Sequence, residues 1–557
     1  MDFEYHLANL FAMLPIIIVF TFFTIILKAN PVLLPKLGIS RALEYILLAA
    51  AGGAILNAIY HSLSFNASLE NIFAASGKMY WSGENPYGEF VSQFNLAYFV
   101  LGKLYSLGVP LVLINLTVLT LIFILYLTSY FLIIGEFGFN KKASIYLSMI
   151  MLFGNTIWFY FMQFYSIPSV VFKESHGIIG LGLAFLCVSL GLTRHYSWMI
   201  LFGTILLFIH PTNFLNSLCI ILVAVISLNF SRRIKQCAYT LLALIFIVLL
   251  APINKIFPDE ESLFLSYLNN WDFHRSPSIQ IAKANFIIMV MILLIFIFTK
   301  NYLKSAASFI FLIRIQLFNI VCLILSFIVI RFDQLSGYNI LIFSRISNLV
   351  GLIVSTFFVL HMAEIFASKL PKKSLKFLID RVEIGSVIAA ASALSLFTLH
   401  VADLTPSHTP FSFNRTFQEN LSGVCGQLGD GNILTNSETE WILRGCGAPI
   451  LSSTINIDWI PYHIRSIRDF NVLLKEVYGL DLARTNDEKS HLTKFALEPE
   501  ITRYWVSLSK SEWETIFCRY QISSVVTLAS SQITELESNL VFRDESYVTY
   551  RVNPICA

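Results

Sequence analysis

Residues 110–134 read PLVLINLTVLTLIFILYLTSYFLII, and no Asp, Glu, Lys or Arg interrupts them. A helix that crosses about 30 Å of hydrocarbon needs roughly 17–25 predominantly apolar residues, with its backbone polar groups satisfied internally. This stretch meets that requirement, and it is not alone. Similar stretches fall at about 10–28, 43–60, 143–160, 176–193, 196–212, 214–230, 237–253, 283–299, 308–330, 340–362 and 384–400. The first follows Asp2 and Glu4 rather than a basic region, so it reads as a retained helix and not as a cleaved signal. The whole chain is 56% hydrophobic and 13% charged, with a mean hydropathy of +0.70. The expectation is a polytopic α-helical membrane protein of about twelve spans over residues 1–400, followed by a polar α/β domain over 401–557.

Basic residues set the expected orientation, because positive loops stay cytoplasmic. With the N-terminus outside, sixteen Lys and Arg fall on the inner side, from Lys28, Lys36 and Arg41 to Lys369, Lys372, Lys373, Lys376 and Arg381. The opposite loops carry Lys78, Lys103, Lys173, Lys255, Arg275 and Arg331. Both the N-terminus and the domain after 401 are therefore expected to be extracytoplasmic. Cysteine usage points the same way. Cys187, Cys219, Cys237 and Cys322 fall in or beside apolar stretches, whereas Cys425, Cys446, Cys518 and Cys556 all lie in the polar tail. Four thiols in an oxidising compartment suggest two disulfides, and proximity favours Cys425 with Cys446 and Cys518 with Cys556 among three connectivities. The net charge of +3 gives no electrostatic footprint for nucleic acid.

Residues 61–109 form a long outer loop with two expected interfacial helices, near 68–82 and 92–106, around the turn Asn85-Pro86-Tyr87-Gly88. In the tail, strand-like runs at 432–435, 449–452, 523–528 and 547–552 alternate with helical patterns. One helix has Ile464, Ile467, Phe470, Leu474 and Val477 on a single face, and another starts at a Ser509 or Ser511 cap before Glu512.

The loop from Leu69-Glu70 through Trp81 and Glu84 to Pro86-Tyr87-Gly88 resembles the first outer loop of the GT-C superfamily of glycosyltransferases. The resemblance covers roughly residues 43–230 in motif and the apolar body in layout. It implies transfer of a hexosyl or pentosyl group from a polyprenyl-phosphate donor to a lipid-linked or cell-surface glycan, with Glu70 as general base. A carboxylate there would take the acceptor hydroxyl's proton as the anomeric carbon gains positive charge. Trp81 and Tyr87 would face the sugar. Glu84, Glu89, Glu174 and Asp272 are candidates for a second acid that orients the acceptor or holds a divalent cation, the one cofactor this chemistry admits. A solvated loop acid is the plainer reading of each.

Arg345 is a planar cation suited to the leaving phosphate, or else a side chain reaching for the interface. His176 and His210 could hydrogen-bond a sugar or phosphate, and His210 could instead cap the helix that Pro211 begins. No metal-cage, P-loop or dinucleotide motif is present. Two other functions remain open: transport or flipping of a lipid-linked glycan, and a catalytically inactive envelope assembly factor. In each case the partners are membrane lipid and a lipid-linked glycan, and the expected setting is a bacterial inner membrane.

Overall fold

The computed structural model describes residues 69–80, 95–136, 176–227, 261–270, 306–331, 346–369, 423–435, 446–451, 466–483, 498–545 and 547–552. Isolated positions are also described at 86 and 88 and within 144–152, 232–242 and 286–294. The helices are α1 (Leu69–Ser76), α2 (Leu96–Ser106), α3 (Leu111–Glu136), α4 (His176–Leu192), α5 (Tyr196–Ile209), α6 (Pro211–Ser227), α7 (Glu261–Asn270), α8 (Ala306–Arg331) and α9 (Ile346–Lys369). Strand β1 (Asn432–Thr435) follows, then α10 (Ile467–Tyr478), α11 (Glu498–Ser507), α12 (Lys510–Arg519), β2 (Ile522–Leu528), β3 (Leu540–Arg543) and β4 (Tyr547–Arg551).

Helices α2 to α6, α8 and α9 share one apolar core, with Ile122, Tyr126, Phe185, Leu206, Ile220, Leu312 and Ile353 buried in it. Small residues let the helices approach. A Cβ at Gly182 would stand 2.9 Å from the Tyr126 ring, and one at Gly102 would stand 2.7 Å from Ala75 Cβ. Between α4 and α5 the chain turns through Arg194 at φ 64°, and between α5 and α6 only His210 intervenes. Pro211 then opens α6, where its missing N–H is no loss and its fixed φ suits the first turn.

The expectation of about twelve membrane spans, with integral multi-pass localisation and an extracytoplasmic N-terminus and C-terminal domain, is corrected. Among the described residues, no helix is long and apolar enough to cross a membrane. Helices α4, α5 and α6 have 17, 14 and 17 residues, and at about 1.5 Å per residue even the longest of these rises only some 26 Å. The chain reverses at His210, within a few residues of the expected boundary between the stretches 196–212 and 214–230. Helices α3, α8 and α9 are longer, with 26, 26 and 24 residues. The helical body nevertheless carries apolar groups on its exterior. On α5, Trp198, Ile200, Leu201, Leu207 and Phe208 are exposed, and on α8 so are Leu317, Val321 and Ile324.

The C-terminal sheet has the order β1-β2-β4-β3, with β1 parallel to β2 and the other pairs antiparallel. The α10–α12 connection supplies the crossover that a parallel pair requires. Three of the expected strands form, at 432–435, 522–528 and 547–551, while the run near Ile450 makes only an isolated bridge to Ile433. On one sheet face Leu434, Val525, Val548 and Tyr550 pack against Phe470, Leu474, Trp505 and Trp513. Trp505 Nε1 donates to Val477 O at 2.6 Å. Helix α12 starts at a capping box in which Ser509 Oγ accepts from the Glu512 N–H and Glu512 returns a bond to the Ser509 N–H. Helix α10 ends at Gly479, left-handed at φ 68°, where a Cβ would stand 2.6 Å from the Tyr504 ring. The other sheet face holds Ile433, Val526 and Phe542 beside the Cys425–Cys446 disulfide.

The two cores meet at α1 and α7. Phe264 and Tyr267 of α7 are buried in the C-terminal core, and Ser266 Oγ donates to Leu482 O at 2.8 Å. Ile72 of α1 belongs to the helical-body core, whereas Ala74, two positions on, packs against the C-terminal core.

Replacing Gly102 with Val should force α2 away from Ala75 and lower the melting temperature by a few degrees, the usual result of overpacking a close helix contact at about 1–3 kcal/mol. An unchanged melt and unchanged amide exchange in α1 would rule out the contact. Asp481 supplies a second test. Burial raises its pKa, but the Ala483 N–H at 2.9 Å, the Lys475 ammonium at 2.9 Å and the Asn471 amide at 3.4 Å outweigh that and hold the carboxyl below its ordinary range. A lowered folded-state pKa gives stability that is present above about pH 4 and is lost as pH falls through the folded value. Acid titration of unfolding should show that loss, and Asp481→Asn should reduce it.

Candidate functional site

Helix directions bring several predicted positions to one end of the helical body. The short turns at 193–195 and at His210 make α4 and α6 parallel, with α5 running back between them. Arg314 Nη1 donates to Ile226 O at 3.0 Å and Cys322 lies beside Cys219, so α8 runs antiparallel to α6. Ser347 Oγ donates to Asn319 Oδ1 at 2.8 Å and the Phe311 and Phe357 rings are 6.2 Å apart, so α9 runs antiparallel to α8. The first turns of α4, α6 and α9 and the last turns of α5 and α8 therefore share a direction. The start of α2 joins them, because Asn95 Nδ2 donates to Ile209 O at 2.8 Å. Helix α1 packs on α2, and with it the C-terminal domain comes to the same end.

His210 lies at this end, against α4, and is 4% exposed. Its Nδ1 accepts the Asn213 N–H at 3.3 Å, so that nitrogen carries no proton and the ring caps α6. Helix α4 approaches so closely that a Cβ at Gly180 would stand 2.6 Å from His210 Cβ. Asn95 works on two elements at once. Its Oδ1 accepts from Ala97 N at 3.0 Å and Tyr98 N at 3.5 Å, while its amide holds Ile209.

From His210 the buried face of α6 continues through Asn213, Asn216 and Ser217 before turning apolar at Ile220, Val223 and Ala224. Asn216 Nδ2 is buried and has no hydrogen-bond partner among the described residues. A buried amide donor left unmade costs about 1–3 kcal/mol, and an oxygen of a bound hydroxyl, phosphate or water would satisfy it.

Glu70 is the second residue of α1, one turn before Phe73 and Ala74, and His176 is the first residue of α4. His210 is the capping residue just described. Trp81, Glu84, Tyr87, Glu174, Asp272 and Arg345 lie outside the described residues, as do Glu89 and Cys556. The sequence reading missed Asn95, Gly180, Asn213 and Asn216. An amide repeated at 213 and 216 in an otherwise apolar helix was the available signal, since buried polar groups require partners. Cys425 and Cys446 are bonded to each other, Cys518 is also disulfide-bonded, and Cys187, Cys219 and Cys322 are free. Among the described residues, no group of three His, Cys, Asp or Glu is placed to hold a metal ion.

No protein-family model, curated protein or solved structure matches the chain.

Gly180→Val should displace the His210 ring and release the Asn213 N–H. Loss of a side-chain cap costs about 1 kcal/mol, so the Asn213 amide should exchange roughly fivefold faster or more. If exchange at Asn213 is unaltered, His210 is not held in place by α4.

Proposed function

We propose that this protein is a glycosyltransferase that moves a sugar from a polyprenyl-phosphate donor to a lipid-linked or cell-surface glycan, with Glu70 as the base. The observation that carries the reading is the position of α1. The helix with the family-like carboxylate is fastened between two cores, at the end of the body where His210 and the polar face of α6 are gathered. A base acts within hydrogen-bond reach of the proton that it removes, and a helix fixed on both sides can hold such a distance.

In the proposed step the acceptor hydroxyl gives its proton to the Glu70 carboxylate. The acceptor oxygen then forms a bond to the anomeric carbon, while the bond from that carbon to the donor phosphate oxygen breaks. Its electron pair leaves with the polyprenyl phosphate, and the anomeric centre is inverted. Arg345 would face the charge that develops on the phosphate, and Trp81 and Tyr87 would face the sugar. Asn216 offers an amide donor to a ligand oxygen. The apolar exterior of α5 offers a surface of the chemistry that a polyprenyl chain requires. The second acid, among Glu84, Glu89, Glu174 and Asp272, would orient the acceptor directly or through a divalent cation.

Glu70→Gln keeps the size of the side chain and removes the base. Transfer from a purified polyprenyl-phosphate sugar should fall by at least a hundredfold, in line with the usual worth of general base catalysis, with donor binding retained. Turnover equal to the parent protein's would remove Glu70 from the mechanism. A lipid carried across vesicles chemically unaltered would favour transport instead.

A further inference from the structure

A short arm of the C-terminal domain also lies against α1. After β1 the chain returns as residues 446–451. It runs along the free edge of β1, with Ile433 N donating to Pro449 O at 2.7 Å and Leu451 N donating to Ile433 O at 2.9 Å. Ile450 and Leu451 are buried at 2% and 0% exposure, and Leu451 belongs to the same core as Ala74 of α1. Gly447, left-handed at φ 64°, lies alongside the Phe73 ring, where a Cβ would come within 3.9 Å. The arm thus touches α1 on one side and the sheet edge on the other. What fixes its start is the Cys425–Cys446 bond, which spans 21 positions around β1. Both cysteines are half-buried and therefore within reach of a small reductant.

We propose that the Cys425–Cys446 disulfide is a redox-sensitive clasp that keeps α1 ordered through the 446–451 arm. When it is closed, loop closure removes the arm's freedom to leave the sheet edge. When it is open, the arm is held by the two backbone bonds at Ile433 and by the side chains of Ile450 and Leu451. Helix α1 then loses the cover over Phe73 while keeping Ile72 in the body core. Opening is a thiol–disulfide exchange. A dithiol's thiolate attacks one sulfur, the Cys425–Cys446 bond breaks, and a mixed disulfide forms. The second thiol of the reductant resolves it, so the protein gains two thiols and the dithiol is oxidised to its own disulfide. The consequence for sugar transfer rests on the reading given above, because it runs through Glu70 on α1. The clasp itself does not.

The test is amide exchange of the full-length protein with and without dithiothreitol, with free thiols counted in each sample. The Cys518→Ser variant is run in parallel so that reduction of the other disulfide is accounted for. Amides of residues 72–76 should exchange at least tenfold faster after reduction, and the Cys425→Ser, Cys446→Ser double variant should match the reduced protein. Amides of β2 and β4 and of α4 should be unchanged. The proposal is overturned if α1 exchange stays the same when the thiol count shows the bond open, if the bond resists reduction in the folded protein, or if β2 and β4 accelerate as much as α1. Transfer activity read on the same samples separates the two ideas: faster α1 exchange with unaltered turnover supports the clasp and removes α1 from catalysis.

Discussion

Everything at the candidate site depends on α1 being shared by two cores. It is an eight-residue helix, and isolated helices shorter than about 12–15 residues are marginal in water. Its order must come from tertiary contact. Ile72 enters the body, Ala74 enters the C-terminal core, Phe73 meets Tyr105 with ring centroids 5.2 Å apart, and Lys78 stands 4.1 Å over that same Tyr105 ring. The helix end is closed by Gly77 at φ 74°, with the Gly77 and Lys78 N–H groups bonded back to Ala74 and Phe73 carbonyls. Position 70 inherits its placement from these contacts.

His210 has the corresponding role in the body. A single residue reverses the chain between α5 and α6, caps the second helix and fills the space left by Gly180. Asn95 then ties α2 to the carbonyl of Ile209. His210 and Asn95 are thereby engaged in fixing helix ends to one another, which offsets the cost of placing polar groups there.

The elements governed by local chemistry were legible in the sequence. The Ser509 cap, the amphipathic face of α10 and the strands at 432 and 547 follow from patterns a few residues long, and the Cys425–Cys446 pair from proximity over 21 positions. Properties set by the path of the chain were not. The membrane architecture was inferred from the apolar stretches one by one, and among the described residues no helix is long and apolar enough to cross a membrane. The fastening of α1 joins residue 72 to the body and residue 74 to a domain more than 350 positions further along the chain, a relation that no local pattern encodes. For the site, Glu70 and His210 drew attention by type, whereas Asn95 and Gly180 mattered by geometry alone.

Phe264 and Tyr267 complete a core whose other fully buried members begin at Leu434. During synthesis at about 5–20 residues per second, α7 is made well before its partners, and for that interval two large rings have nowhere to be buried. The C-terminal domain is consequently assembled onto a platform that waits for it, and a chain cut before β1 would leave that platform open. Such an interval is where a holding chaperone would engage the nascent protein.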